Sequence, residues 1–135
     1  MWRVTRQLSL AAGAAALALV AMNAAAHHSA AQYDFGKLTT IVGTVKEFHV
    51  MNPHTSAVVV VSDSKGTRPV TFEAHSASHF YRSGYTNGLV KAGDKIKLTV
   101  APRRDGKDGG YIVGFTVHGK TVALGGVSRR ERTGK

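Results

Sequence analysis

A single stretch that can form a helix interrupts a chain otherwise built of β-rich runs, and its position restricts the fold more than any other feature. Ser76 to Ser83 reads as one or two helical turns with Ser76 as N-cap, ended by Gly84 and Asn87-Gly88. Three β-rich runs precede it: Leu38–Val50, Ala57–Val61 and Arg68–His75. Two follow it, from Lys95 and from Tyr111, and a short sixth runs over Thr121–Leu124. Strands in this order with one helix between the third and fourth predict an all-β domain with one short helix. Its expected form is an OB-like, five- to six-stranded Greek-key barrel. An open β-sandwich is the alternative.

The alternation within the runs supports this order. Val70, Phe72 and Ala74 share one face of the third run, and Thr71, Glu73 and His75 share the other. Ile96, Leu98 and Val100 point inward from the fourth while Lys95, Lys97 and Thr99 point out. Tyr111, Val113, Phe115 and Val117 are expected to form the inward face of the fifth. The first run changes parity between Val45 and Phe48, which predicts a bulge at Lys46-Glu47, with Gly43 allowing a bend. Met51-Asn52-Pro53-His54, Asp63-Ser64-Lys65-Gly66, Lys91-Ala92-Gly93-Asp94 and Asp105 to Gly110 are turn signals.

The N-terminal segment has a different character. Arg3 and Arg6 precede an apolar run from Leu8 to Met22, and Asn23-Ala24-Ala25-Ala26 closes it with small residues. These are the three parts of a secretory signal peptide over residues 1–26. Cleavage after Ala26 places Ala24 and Ala26 at the small-residue positions and makes His27 the first residue of the mature chain. Residues 27–37 then read as an arm that Tyr33 and Phe35 pin to the body, 38–126 as the barrel, and 127–135 as a basic, disordered tail. The expected location is periplasmic or secreted, with no stable membrane insertion after cleavage. Loss of Arg3 and Arg6 leaves 16 basic and 8 acidic residues, a net charge of +8. A basic exported domain meets anionic envelope components, whereas nucleic acid lies in another compartment. The absence of Cys excludes disulfides, thiolate metal sites and thiol catalysis.

Cleavage after Ala26 puts an α-amine and an imidazole on His27 and a second imidazole on His28. An amine and a ring nitrogen chelate Cu(II), which heads the affinity order for nitrogen sites. A distant imidazole completes a T-shaped set of the histidine-brace kind. His54, in the first loop, is the leading candidate for it. Cleavage after Ala25 would instead place His27 second and His28 third, a square-planar terminal site that does not need His54. His75 and His79 have the H-x-x-x-H spacing of a second site, if both lie on one helix. Asp34 and Glu73 are candidates to orient an imidazole. Arg82, Arg103 and Arg104, with Lys91 and Lys107, form a candidate anion-binding set. There is no paired-carboxylate, Ser-His-Asp, P-loop or G-x-G-x-x-G pattern, so no catalytic residue is assigned.

His27-His28-Ser29 after a signal, Tyr33-Asp34, Gly43-Thr44-Val45, Asn52-Pro53-His54, Glu73, Arg82-Ser83-Gly84-Tyr85, Lys91-Ala92-Gly93-Asp94 and Arg103-Arg104-Asp105-Gly106 occur in one order. In this the chain resembles the small exported bacterial proteins of domain-of-unknown-function family 6152, over nearly the whole mature length. The resemblance implies export and one β-rich domain, and no activity. The chain departs from the family pattern at Val50 and Ser56, where aromatics commonly flank Asn-Pro-His. It also carries Tyr85 for a Trp and His75 where a small residue is expected.

The leading expectation is therefore copper binding or delivery without catalysis. The alternatives are a module for an anionic envelope ligand and an interaction protein that pairs a partner along a sheet edge.

Overall fold

In the computed structural model, residues 30–125 are described. The element order is β1 (Thr39–His49), β2 (Thr55–Asp63), β3 (Gly66–Ala74), α1 (Ala77–Arg82), β4 (Lys95–Pro102), β5 (Gly110–Val117) and β6 (Lys120–Ala123). The signal segment, His27, His28 and the basic tail lie outside the described residues.

Alternation does in β4 what it predicts: Ile96, Leu98 and Val100 are fully buried and Lys95 and Lys97 are exposed. The strands hydrogen-bond in the order β3-β2-β1-β4-β5-β6, all antiparallel. A parallel pairing of Phe72, Glu73 and Ala74 with Gly110, Tyr111 and Ile112 then joins β3 to β5. That pairing closes five strands into an OB-like barrel, with β6 as an extra strand, and excludes the open sandwich. β1 serves both halves, with its first part on β4 and its second on β2. The register shifts between Val45 and Glu47, so Lys46 is the extra residue of the expected bulge. Beyond it Phe48 replaces the earlier parity and packs into the core.

α1 closes one end of the barrel. Ser76 is its N-cap, with extended backbone and Oγ accepting from the His79 N–H at 3.4 Å. Phe80, the buried residue of α1, packs against Phe48, Tyr85 and Phe115, with ring centroids 5.7–6.1 Å apart. The Lys91–Asp94 turn docks on the β1 bulge. There the Gly93 N–H donates to the Val45 carbonyl at 2.8 Å, and the Val45 N–H donates to the Asp94 carbonyl at 2.9 Å.

The inward face expected for β5 is only half right. Phe115 and Val117 lie in the main core, but so does Ile112, whereas Tyr111 and Val113 form a separate outer cluster with Tyr33, Ala101 and Phe35. The cause is a second bulge: Thr99 faces Gly114 while Val100 faces Ile112, leaving Val113 extra. Parity reverses there, so Tyr111 turns outward.

Two further constraints generate tests. A Cβ on Gly43 would lie 2.5 Å from the Val60 carbonyl oxygen and 2.6 Å from Val59 Cγ1. Gly43→Ala is expected to destabilise the fold by about 1–3 kcal/mol in urea unfolding, since the contact includes backbone that cannot yield. Arg68 holds two loops together: its Nε donates to Asp108 at 2.6 Å and its Nη1 to Asp63 at 2.7 Å. Hydrogen bonds from the Arg68 guanidinium hold both carboxyls below the usual range, Asp108 at about 2. A lowered folded-state pKa contributes stability above the unfolded value of about 3.9 that is lost as pH falls towards about 2. Arg68→Gln is therefore expected to flatten the stability profile between about pH 4 and pH 2. Acid unfolding curves of the two proteins, differing in slope within that window, check it.

Candidate functional site

The second bulge makes an outer patch at the β3–β5 seam. β3 presents Glu73 outward, and the parallel register sets Tyr111 beside it. His75 follows Glu73 by two residues, and its ring meets Tyr111 edge-on at 5.2 Å. His79, from the first turn of α1, stacks on His75 with centroids 4.0 Å apart and planes 19° from parallel.

The arm docks on the same patch, as Tyr33 and Phe35 suggest. Tyr33 is 4% exposed, and its ring lies 5.5 Å from that of Tyr111; Phe35 meets Tyr111 at 5.4 Å. The Tyr33 hydroxyl donates to Glu73 Oε2 at 2.6 Å. Burial, and then this hydrogen bond, push the phenol well above its ordinary pKa, so it is a protonated donor at neutral pH. The backbone confirms the docking: Asp34 N–H donates to the Pro102 carbonyl and Arg104 N–H to the Gln32 carbonyl, each at 2.8 Å.

The first loop reaches this patch from the other side. The Ala77 N–H donates to the Met51 carbonyl at 3.0 Å and the Thr55 N–H to the His75 carbonyl at 3.1 Å. His54 lies between these two clips, half-buried, with its backbone alongside that of His75. The structure thus gathers His54, His75 and His79 at one end of the barrel, although they come from two loops and a helix.

The stacked pair is not a chelate as it stands. Ring lone pairs lie in the ring planes, and an ion about 2 Å from both nitrogens needs planes that converge on it. The planes of His75 and His79 run nearly parallel. The expected helical spacing fails because His75 precedes α1 rather than belonging to it. His79 Nε2–H also donates to the Leu124 carbonyl at 2.6 Å, which leaves Nδ1 with the lone pair. Among the described residues, no group of three His, Asp or Glu side chains stands close enough together to hold a metal ion.

The remaining candidates are placed differently. Asp34 accepts from the Gly36 N–H at 3.1 Å and lies 3.8 Å from Arg104 and 3.9 Å from Lys37, so it braces the arm's own turn. Glu73 is engaged by Tyr33. Arg103 pairs with Asp105 at 2.7 Å, and its Nη1 donates to Gln32 at 3.3 Å. Arg104 Nε donates to the Ala31 carbonyl. Arg82 sits in the last turn of α1. Two of the three arginines are thus engaged by an acid or by the arm. His118 is exposed and lies 2.9 Å from Asp94. Tyr111 is the member that alternation misassigned. The continuous apolar run Tyr111-Ile112-Val113 is the signal for it, because such a run belongs to a strand covered on both faces.

The class is set by topology: an OB-like barrel with an ordered arm. Its family model places it further. The Family of unknown function (DUF6152) matches residues 14–112, and the chain belongs to that family. No curated protein matches the chain in sequence. Among solved structures, TiaS in complex with tRNA and ATP is 14% identical at a TM-score of 0.43, with 60% of this chain and 18% of that chain covered. The chain therefore spans under a fifth of TiaS. The mitochondrial single-stranded DNA binding protein Rim1 of S. cerevisiae is 10% identical at 0.45, covering 61% and 93%. Yeast Stn1 and Ten1 give 17% identity at 0.41, covering 59% and 42%.

Removing the Tyr33 hydroxyl tests the docking. Tyr33→Phe keeps the ring and deletes the bond to a carboxylate, with an expected cost of about 1.5–3 kcal/mol. Amide exchange at Asp34 and Arg104 should quicken, while protection at Val45 and Leu98 should fall only as far as global stability does. Unchanged exchange at Asp34 would mean that the rings alone hold the arm.

Proposed function

We propose that the protein is exported and binds copper at the arm end of the barrel, for metal binding or delivery rather than catalysis. The ligands in this reading are the α-amine and ring of His27, with His28 beside it, and an imidazole of the body. His54 leads for that role, and His75 is its neighbour across the strands. The observation that carries the reading is the docking of the arm. Tyr33 is six residues after His27 and lies against Tyr111, which itself lies against His75. Residues 30–32 form a helical turn, with the Tyr33 N–H donating to the Ala30 carbonyl at 3.2 Å, so only the three residues before Ala30 add extended reach, roughly 10 Å. The terminal imidazoles and the body imidazoles are, in this reading, held at the same end of the molecule.

His79 fits the role of a supporting imidazole, since its Nε2–H is committed to a backbone carbonyl. The alternative, an anionic ligand held by Arg82, Arg103 and Arg104, loses support. Asp105 engages Arg103, while Asp34 and the Ala31 carbonyl engage Arg104.

The test is a Cu(II) titration of protein recovered after export, with its N-terminus fixed by mass spectrometry. A chain starting at His27 should bind one Cu(II) with three nitrogens in its electron paramagnetic resonance spectrum. His54→Ala should remove one nitrogen and weaken binding more than about 100-fold, beyond the loss usual for a supporting group. If His75→Ala does this instead, the body ligand is His75. A chain that starts at Ala26 and binds tightly without either residue would move the site wholly to the terminus. Absence of tight copper at every terminus would end the reading.

A further inference from the structure

The outer face of β4, and of β1 ahead of its bulge, carries lysines and no acid. Leu38, Thr40, Val42 and Thr44 share the outward parity of β1 and the residue before it, and Lys95, Lys97 and Thr99 share that of β4. The register sets Thr40 opposite Thr99, Val42 opposite Lys97 and Thr44 opposite Lys95. Lys97 in turn faces Thr116 of β5, which hydrogen-bonds Thr121 of β6 at 2.9 Å. The face is therefore a grid of lysine, threonine and aliphatic side chains.

Two properties set it apart. Leu38 is 53% exposed and Val42 63%, and they are two of the four large apolar residues left exposed among the described residues. Among the same residues, the two lysines also have no carboxylate partner. Lys95 Nζ donates to the Thr44 hydroxyl at 2.8 Å. Asp94, which precedes it, is engaged by the Lys91 N–H at 2.8 Å and by His118. Glu47, the acid of β1, lies beyond the bulge and pairs with His49 at 3.3 Å. The other described acids serve Arg68, Arg103, Tyr33 or the arm.

We propose that this face docks the protein on an anionic phospholipid surface. Ammonium groups at Lys95 and Lys97 meet lipid phosphates, while Leu38 and Val42 enter the boundary between headgroups and acyl chains. The threonine hydroxyls are donors to phosphate ester oxygens. Charge complementarity alone would suit any polyanion. The two aliphatic side chains select the bilayer, because a soluble polyanion leaves them in water. Stacking on single-stranded nucleic acid needs aromatic rings, and none stands in this grid. Attachment of this kind is peripheral, and among the described residues no helix is long and apolar enough to cross a membrane. The inference does not depend on copper.

Co-sedimentation with vesicles tests it. The barrel and arm close within residues 30–125, so a chain starting at His27 retains both and omits the apolar N-terminal run. In metal-free buffer it should bind phosphatidylglycerol–phosphatidylcholine vesicles and not phosphatidylcholine alone. Binding should weaken with added salt. Lys95→Gln with Lys97→Gln should weaken it roughly fivefold for each lysine. Leu38→Ser with Val42→Ser should also weaken it and leave a weaker, more salt-sensitive remainder. All four positions are exposed, and unchanged melting curves verify the fold. Wild-type binding by both double variants would overturn the proposal. So would a lysine-dependent binding to heparin or single-stranded DNA that the Leu38 and Val42 changes leave intact, with no preference for vesicles.

Discussion

Three residues of parallel pairing hold the molecule in its shape. Where Phe72, Glu73 and Ala74 lie against Gly110, Tyr111 and Ile112, an antiparallel sheet becomes a closed barrel. β5 enters this seam through two glycines that bring its backbone close to both neighbours, Gly110 to β4 and Gly109 to β3. A Cβ on Gly110 would lie 2.8 Å from the Ala101 carbonyl oxygen, and one on Gly109, whose φ is +107°, would lie 2.7 Å from the Thr71 carbonyl oxygen. The Arg68 pairs with Asp63 and Asp108 hold the same loop from outside. The closure also determines what the surface looks like. Ala74 and Ile112 go into the core, so Glu73 and Tyr111 must go out together, and the arm finds its carboxylate and its ring at one place.

Much of this was legible. Periodicity alone identified the inward faces of β3 and β4, the parity change of β1 and the position of α1. Those features are local, since a bulge within one strand reverses alternation inside a window of a dozen residues. The β5 bulge was hidden because alternation runs unbroken through Tyr111, Val113, Phe115 and Val117. Only the pairing with β4, a non-local fact, shows that Val113 is extra. One misplaced parity then concealed the outer patch, because Tyr111 is the ring between the arm and His75.

The histidines show the same division. Composition and the N-terminal pattern single out His27 and His28, and the loop signal singles out His54. The spacing of His75 and His79 suggests a helical pair, and the rings do meet. They meet as a stack because an N-cap at Ser76 separates a strand end from a first helical turn. Spacing reports which residues approach each other, while the direction of their lone pairs depends on where the helix begins. Two of the three arginines are engaged for a different reason, one that composition cannot register. Asp105 sits two residues from Arg103, and the docked arm brings Asp34 to Arg104, so acids reach two of the three cations.

Those same pairings explain where the surplus charge resides. Most of the described acids sit in turns and loops, where Asp side chains accept from backbone N–H groups at Asp34, Asp63, Asp94 and Asp105. Turn chemistry therefore draws negative charge to the ends of the barrel, where Arg68, Arg103 and His118 meet it. β4, and β1 ahead of its bulge, carry Lys and Thr outward without acids, because nothing in a strand calls for an Asp. A basic face is thus a by-product of how the turns are built. Leu38 and Val42 are not, since alternation alone would accept Ser or Thr at either place. Their presence beside Lys97 on the edge of an otherwise polar grid is the feature that a purely structural account of this surface leaves unexplained, and a lipid interface is the environment in which both kinds of side chain are satisfied at once.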